Sequence, residues 1–282
     1  MSSSRSLNGP PASSRGAGQP LSRTAVNSIA IFAATSWEIQ AVRRALATDR
    51  VATIDGVRCL IGQRGDRTYW LIRTGVGPAS AGAVAGKILK AQPMSLVMST
   101  GFACALVPAQ VGDLIVGTAV FSVHGEGAWT VGGDRVLCDE AIRAGLLAVA
   151  RSIGSVARVG TVVSSETVVW KAQEKRRLQL LTDATGLDME SAAVATAAQE
   201  RNLPMVIVRA VSDLVDEDLP LDFNRFLRPT GWMRGMQSLI STPSSLAGLN
   251  RLRKQSRLAA TQLTEWFQRY VETEQESLQS SR

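Results

Sequence analysis

The sequence predicts a three-layer αβα sandwich around a central mixed sheet. Suggested strands and helices alternate along the chain. The clearest strand, over 205–208, is a continuous apolar run of the kind covered on both faces. Size and composition agree: 282 residues with 45% hydrophobic and 20% charged content can build one large α/β domain with a sizeable core.

In chain order, strands are expected at 28–33, 67–74, 96–100, 114–122, 158–163 and 205–211, and helices at 37–47, 79–91, 140–151, 169–181, 189–202 and 256–272. Glu38 opens the first helix, where the helix dipole favours a carboxylate. Gly75-Val76-Gly77-Pro78 joins the second strand to its helix, and is either a tight turn or a seat for a polar ligand. Gly101-Phe102-Ala103 follows the third strand. Asp188 and Glu190 stand in the first turn of an Ala-rich helix, and Leu203-Pro204 then turns the chain into the strand that ends at Ser212-Asp213. Ligands in open α/β sheets sit at the carboxyl ends of strands. Glu190 and Asp213 are therefore expected in one cleft. Arg209, inside an apolar strand, needs a partner if buried and is expected to make a structural salt bridge.

Residues 1–25 are rich in Ser, Gly, Pro and Arg, carry no acid and lack the apolar core of a secretory signal, so a disordered tail is expected there. One domain is expected over 26–272, then a second disordered tail over 273–282. No apolar run reaches the roughly 18 residues of a membrane span. A cytoplasmic protein, at most peripheral to a membrane, is the expectation.

Cys59, Cys104 and Cys138 are scattered, and no C-x-x-C pair suggests a disulfide framework or zinc site. His124 is the only histidine, which excludes multi-histidine metal sites and argues against a Ser-His-Asp triad. The net charge of +7 is uneven. No acid lies between Phe223 and Thr264, while Arg225, Arg228, Arg234, Arg251, Arg253, Lys254 and Arg257 do. With that stretch and the arginines of the 1–25 tail set aside the remaining body is slightly acidic, so a nucleic-acid partner is not indicated.

Five segments, taken in order, resemble the purine nucleoside phosphorylase and methylthioadenosine/S-adenosylhomocysteine nucleosidase superfamily. They are 29–38, 74–79, 99–103 with 111–116, 187–194 (Leu-Asp-Met-Glu-Ser-Ala-Ala-Val) and 209–213 (Arg-Ala-Val-Ser-Asp). The resemblance spans about 27–226 and implies a nucleoside phosphorylase-like fold, a small-molecule nucleoside substrate, no cofactor, no metal and a homo-oligomer. It also implies roles: Asp213 donates a proton to purine N7, Ser212 orients that carboxyl, Glu190 accepts from the ribose hydroxyls, Met189 packs beneath the sugar, and Glu38 activates water. Gly77, Gly101 and Phe102 fall at substrate-binding places, and Val168 at the place of an aromatic that stacks on the base, with Trp170 nearby. Phosphate-using members carry an arginine and a serine where this chain has Ser99 and Phe102, which favours the hydrolytic branch. Asp213 rather than asparagine goes with 6-aminopurines in the family.

A basic-apolar insertion is expected at about 228–250, with Trp232, Met233 and Met236 among arginines and no acid. It suits an anionic membrane surface, a lid over an apolar substrate, or simple packing. In general character this C-terminal part resembles the hopanoid-associated branch, which implies an adenosyl-hopane lipid substrate. The expected activity is therefore release of adenine from a nucleoside with a bulky or apolar 5′ group. Methylthioadenosine/S-adenosylhomocysteine nucleosidase is the alternative enzyme, and an inactive nucleoside-binding or membrane-surface scaffold the alternative of another class.

Overall fold

A computed structural model describes residues 27–125, 127–220, 222, 224 and 243–280. Its strands are β1 (Ser28–Ala33), β2 (Arg50–Ile54), β3 (Val57–Arg64), β4 (Arg67–Arg73), β5 (Leu96–Ala105), β6 (Leu114–His124), β7 (Thr130–Leu137), β8 (Ala157–Ser165), β9 (Gly186–Asp188) and β10 (Met205–Leu214). Its helices are α1 (Ser36–Leu46), α2 (Pro78–Ala91), α3 (Glu140–Ser152), α4 (Ala172–Thr182), α5 (Ser191–Gln199) and α6 (Pro243–Ser280).

The expected mixed sheet with helices on both sides is present. β1 lies between β4 and β5, parallel to both, and β5 is parallel to β10. Beyond β4 the sheet continues antiparallel through β3 to β2. On the other side it curls: β10 pairs with β6, β6 with β8, β8 with β9, and β9 returns to β5. Those five strands close on themselves, which gathers the carboxyl ends of β5, β8 and β10 around one point.

Alternation along the central strands explains the layers. Ile29, Ile31, Met98, Val206 and Val208 face a core shared with α1, α3 and α6. Ala30, Phe32, Val97, Met205 and Ile207 face a core shared with α2 and α5. Both faces are buried, so these strands read as unbroken apolar runs. α6 anchors the first layer with Trp266, which is fully buried, stacks on Tyr270 at 5.3 Å and meets Phe267 edge-on at 5.0 Å.

The structure departs from the sequence reading in four places. β2, β3, β7 and β9 were not anticipated. Leu187 and Asp188 belong to β9 rather than to a helix, and α5 begins only at Ser191 because Asp188 and Glu190 are drawn into the site. α4 starts at Ala172, not at 169. α6 continues through 273–280, where a disordered tail was expected, and Glu274 there pairs with Arg67. The expected tail at 1–25 and the insertion up to 242 lie outside the described residues, and the insertion's remainder is the start of α6.

Candidate active site

A cavity of about 230 Å³ opens where β1, β5, β8, β9 and β10 end. Glu38, Phe102, Val168, Met189, Glu190, Ser212 and Asp213, singled out in the sequence, all line it. Gly77 and Gly101 are not in its wall but hold residues that are.

Glu38 is positioned from both sides. Thr35 caps α1, and Glu38 completes a capping box, its Oε2 accepting from the Thr35 backbone N–H at 2.7 Å and from Thr35 Oγ1 at 2.9 Å. Its Oε1 accepts from the Phe102 N–H at 2.7 Å. Capping and a place in the cavity wall are thus the same geometry, not rivals. Gly101 is required beside it. Its φ is +136°, and a Cβ there would stand 2.2 Å from Glu38 Oε1 and 2.7 Å from Arg209 Nη1.

Glu190 is the N-cap residue of α5 and is buried, with Oε1 accepting from the Gly77 N–H at 2.8 Å. The turn before α2 therefore grips a side chain of the protein itself. Burial pushes the Glu190 carboxyl up to about 7, against the pull of Arg209. Beneath it, Asp188 accepts from the Glu190 and Ser191 N–H groups and pairs with Arg209 at 2.8 Å. Arg209, 1% exposed, also donates to the Thr100 carbonyl and to the hydroxyls of Ser99 and Ser191. The structural salt bridge expected of Arg209 is present, and its partner is Asp188.

Ser212 and Asp213 reach the cavity together because of a bulge. The β10–β5 register shifts between Val211 and Asp213, so strict alternation breaks at the strand end. Ser212 Oγ donates to Asp213 Oδ1 at 2.9 Å. Asp213 Oδ2 is held by Lys175 Nζ at 2.7 Å. Lys175 also donates to the carbonyls of Leu214 at 3.2 Å and Glu217 at 2.9 Å, and its side chain is fully buried. Burial pushes the Lys175 ammonium down, but Asp213, Cys104 and Glu217 together more than offset this and leave it above its ordinary value.

Lys175 escaped the sequence reading, and Asp188 was read only as a first-turn acid and not as the partner of Arg209. Lys175 sits in the charged run Glu174-Lys175-Arg176-Arg177, which looks solvated. The available signal was spacing: Ala172, Lys175 and Leu178 make one buried face of α4, with a lysine on an otherwise apolar stripe.

Val168 lines the cavity with both backbone polar groups engaged by Asn224, which accepts from its N–H at 2.7 Å and donates to its carbonyl at 2.9 Å. Trp170 is not in that wall. It lines a neighbouring pocket with Trp129, and Lys171 lies 4.9 Å over its ring. His124 stays apart as well, paired with Glu166 at 3.1 Å. The three cysteines are free and buried.

The family model described as the phosphorylase superfamily matches residues 28–228. Among solved structures, the chain is similar to a putative 5′-methylthioadenosine/S-adenosylhomocysteine nucleosidase from Francisella philomiragia, with a TM-score of 0.69 at 18% identity over 87% of this chain and 99% of that one. The Neisseria meningitidis 5′-methylthioadenosine/S-adenosylhomocysteine nucleosidase in complex with methylthio-immucillin-A gives 0.65 at 18% identity, covering 86% and 99%. A futalosine hydrolase mutant of Helicobacter pylori gives 0.62 at 20%, covering 81% and 99%. At these identities the likeness is one of fold.

Proposed function

The chain belongs to the phosphorylase superfamily, and from that premise we propose that it cleaves the N-glycosidic bond of an adenine nucleoside and releases adenine to water. The observation that carries this reading is the meeting of Glu38, Glu190 and Asp213, from three distant segments, in the wall of one cavity. Breaking this bond develops positive charge on the ribose and negative charge on the departing base. Asp213, oriented by Ser212, gives the base a proton at N7 from its protonated form and is left as the carboxylate that Lys175 pairs. Glu190 accepts hydrogen bonds from the ribose hydroxyls, and its ionised form does this best. Met189 packs against the sugar, and Glu38 takes the proton of the attacking water. Phe102 and Val168 supply apolar wall, Val168 to the base; Gly77 and Gly101 act through the carboxylates beside them. An inactive scaffold has no use for three carboxylates so arranged.

The substrate's 5′ group is read as bulky and apolar because Val76, Phe102, Met189 and Leu219 make much of the rest of the wall. A lipid-linked substrate taken from an anionic membrane surface extends this reading. Between α1 and α6 runs a groove of about 470 Å³ lined by Trp37, Arg44, Arg253 and Arg257 with no acid. Trp37 is 50% exposed and adjoins Glu38, so the groove lies beside the cavity. Arginine with interfacial tryptophan suits anionic headgroups, at about 1 kcal/mol per basic side chain.

Free adenine is measured from a panel of adenine nucleosides with 5′ groups from hydroxyl to long alkyl. Release that favours the alkyl members supports the reading; no release from any member refutes it. Sedimentation with anionic and neutral vesicles tests the surface. Binding to anionic vesicles alone, lost in Arg253→Glu/Arg257→Glu, is expected, and absence of binding to both removes the membrane extension.

A further inference from the structure

Lys175 is absent from the cavity wall, yet it makes the shortest contact to Asp213. A fully buried ammonium carries a desolvation penalty of several kcal/mol unless it is matched by charge and hydrogen bonds. Here it is matched completely. Its three N–H groups go to Asp213 Oδ2, the Leu214 carbonyl and the Glu217 carbonyl. None is left for a substrate, so whatever Lys175 does for the reaction it does through Asp213.

Two consequences follow from that geometry. Asp213 is tethered at both oxygens, Oδ1 by Ser212 and Oδ2 by Lys175, which fixes the plane of the carboxyl as well as its position. The same ammonium ties α4 to the segment after β10. That segment returns to the cavity at Leu219, which lines it and whose N–H donates to the Trp170 carbonyl at 2.8 Å. Proton transfer to a departing base depends steeply on alignment, and a tethered carboxyl meets that need without reorganisation.

We propose that Lys175 is the positioning residue of the base-protonation step: it holds the Asp213 carboxyl in line with the departing purine without itself touching substrate. The proposal rests on the reading of Asp213 as the proton donor. It adds a residue on α4 to a site otherwise built at strand ends and helix starts.

The experiment uses the leaving group to separate alignment from mere support. An adenine nucleoside needs a proton at N7 to leave, whereas a p-nitrophenyl riboside leaves as a stable phenolate. Lys175→Met is expected to lower kcat for the adenine nucleoside by about 10- to 100-fold, less than the roughly 100- to 10,000-fold that loss of the general acid itself would cost. KM should stay within about threefold, and turnover of the p-nitrophenyl riboside should be close to that of the parent protein. Equal losses on both substrates would make Lys175 a structural staple, and no loss on either would dismiss it; each outcome overturns the proposal. Lys175→Gln, which keeps hydrogen-bond donors without the charge, is measured alongside and carries the same ratio test if the methionine variant does not fold. Asp213→Asn is the reference. If it keeps adenine release, the proton-donor reading itself fails; if it loses release while the Lys175 variants keep it, only the role of Lys175 fails.

Discussion

Replacing Gly101 by alanine adds one methyl group at the most crowded point of the site. The new carbon would lie 2.2 Å from Glu38 Oε1 and 2.7 Å from both Glu38 Cδ and Arg209 Nη1. Contacts of that kind normally settle near 3.5 Å. Glu38 would therefore have to retreat by roughly 1 Å, and a misplacement of that size costs about 100-fold in rate. It cannot retreat freely, since the Phe102 N–H holds the very oxygen that is struck and Thr35 holds the other. The backbone adds a second term. At φ +136° an alanine is strained by about 1–3 kcal/mol. Gly112→Ala separates the two terms, because Gly112 has φ +96° with nothing within 4 Å of the added carbon. The expectation is that both variants melt at lower temperature, but only Gly101→Ala loses about 100-fold or more in kcat. Near-normal turnover by folded Gly101→Ala would mean that Glu38 is not held for chemistry as argued.

Other outcomes can be stated briefly. Glu190 has its carboxyl raised by burial to about 7 from an ordinary 4.5, so the native state binds its proton more tightly than the unfolded chain does. Its contribution to stability is fully present below about pH 4.5 and fades as pH rises through about 7, by roughly 3 kcal/mol at most. Chemical denaturation of Glu190→Gln should lack that slope. Activity should run the opposite way, with kcat/KM rising through about pH 7 as Glu190 ionises, and a flat profile there would count against its place at the ribose. Trp266→Ala, far from the cavity, should lower stability by about 3–5 kcal/mol with kcat of the folded fraction unchanged.

The layers were legible because the sheet is covered on both faces: an unbroken apolar run such as 205–208 has few other readings. β2 and β3 were missed because one face of that hairpin is open to solvent and its polar residues hide the strands; β9, three residues long, is too short to show a period. The site carboxylates at strand and helix ends were legible from their places relative to those runs. What supports them was not. The pairing of Arg209 with Asp188 depends on the β9 return to β5, and that of Lys175 with Asp213 joins residues whose sequence separation is 38. No local pattern encodes which distant partner a buried charge finds. A lysine on an apolar helical stripe marks only that a partner must exist.

Charge matching inside the site bears on the choice of nucleophile. Arg209 lies beneath the cavity, but Asp188 neutralises it and Thr100, Ser99 and Ser191 engage its two Nη groups. Lys175 is likewise committed to Asp213. The described residues that line the cavity include Glu38, Asp188, Glu190 and Asp213 and no arginine or lysine. Such a wall stabilises a ribosyl group that becomes positive in the transition state and accepts neutral water easily. It opposes a phosphate anion, which would need at least one uncommitted cation to enter. Adenine release should therefore proceed at the same rate with and without phosphate, yielding ribose of the 5′-substituted product with a free anomeric hydroxyl. A ribose 1-phosphate product whose formation climbs with phosphate concentration would show that a cation reaches the site from outside the described residues, and would replace hydrolysis by phosphorolysis.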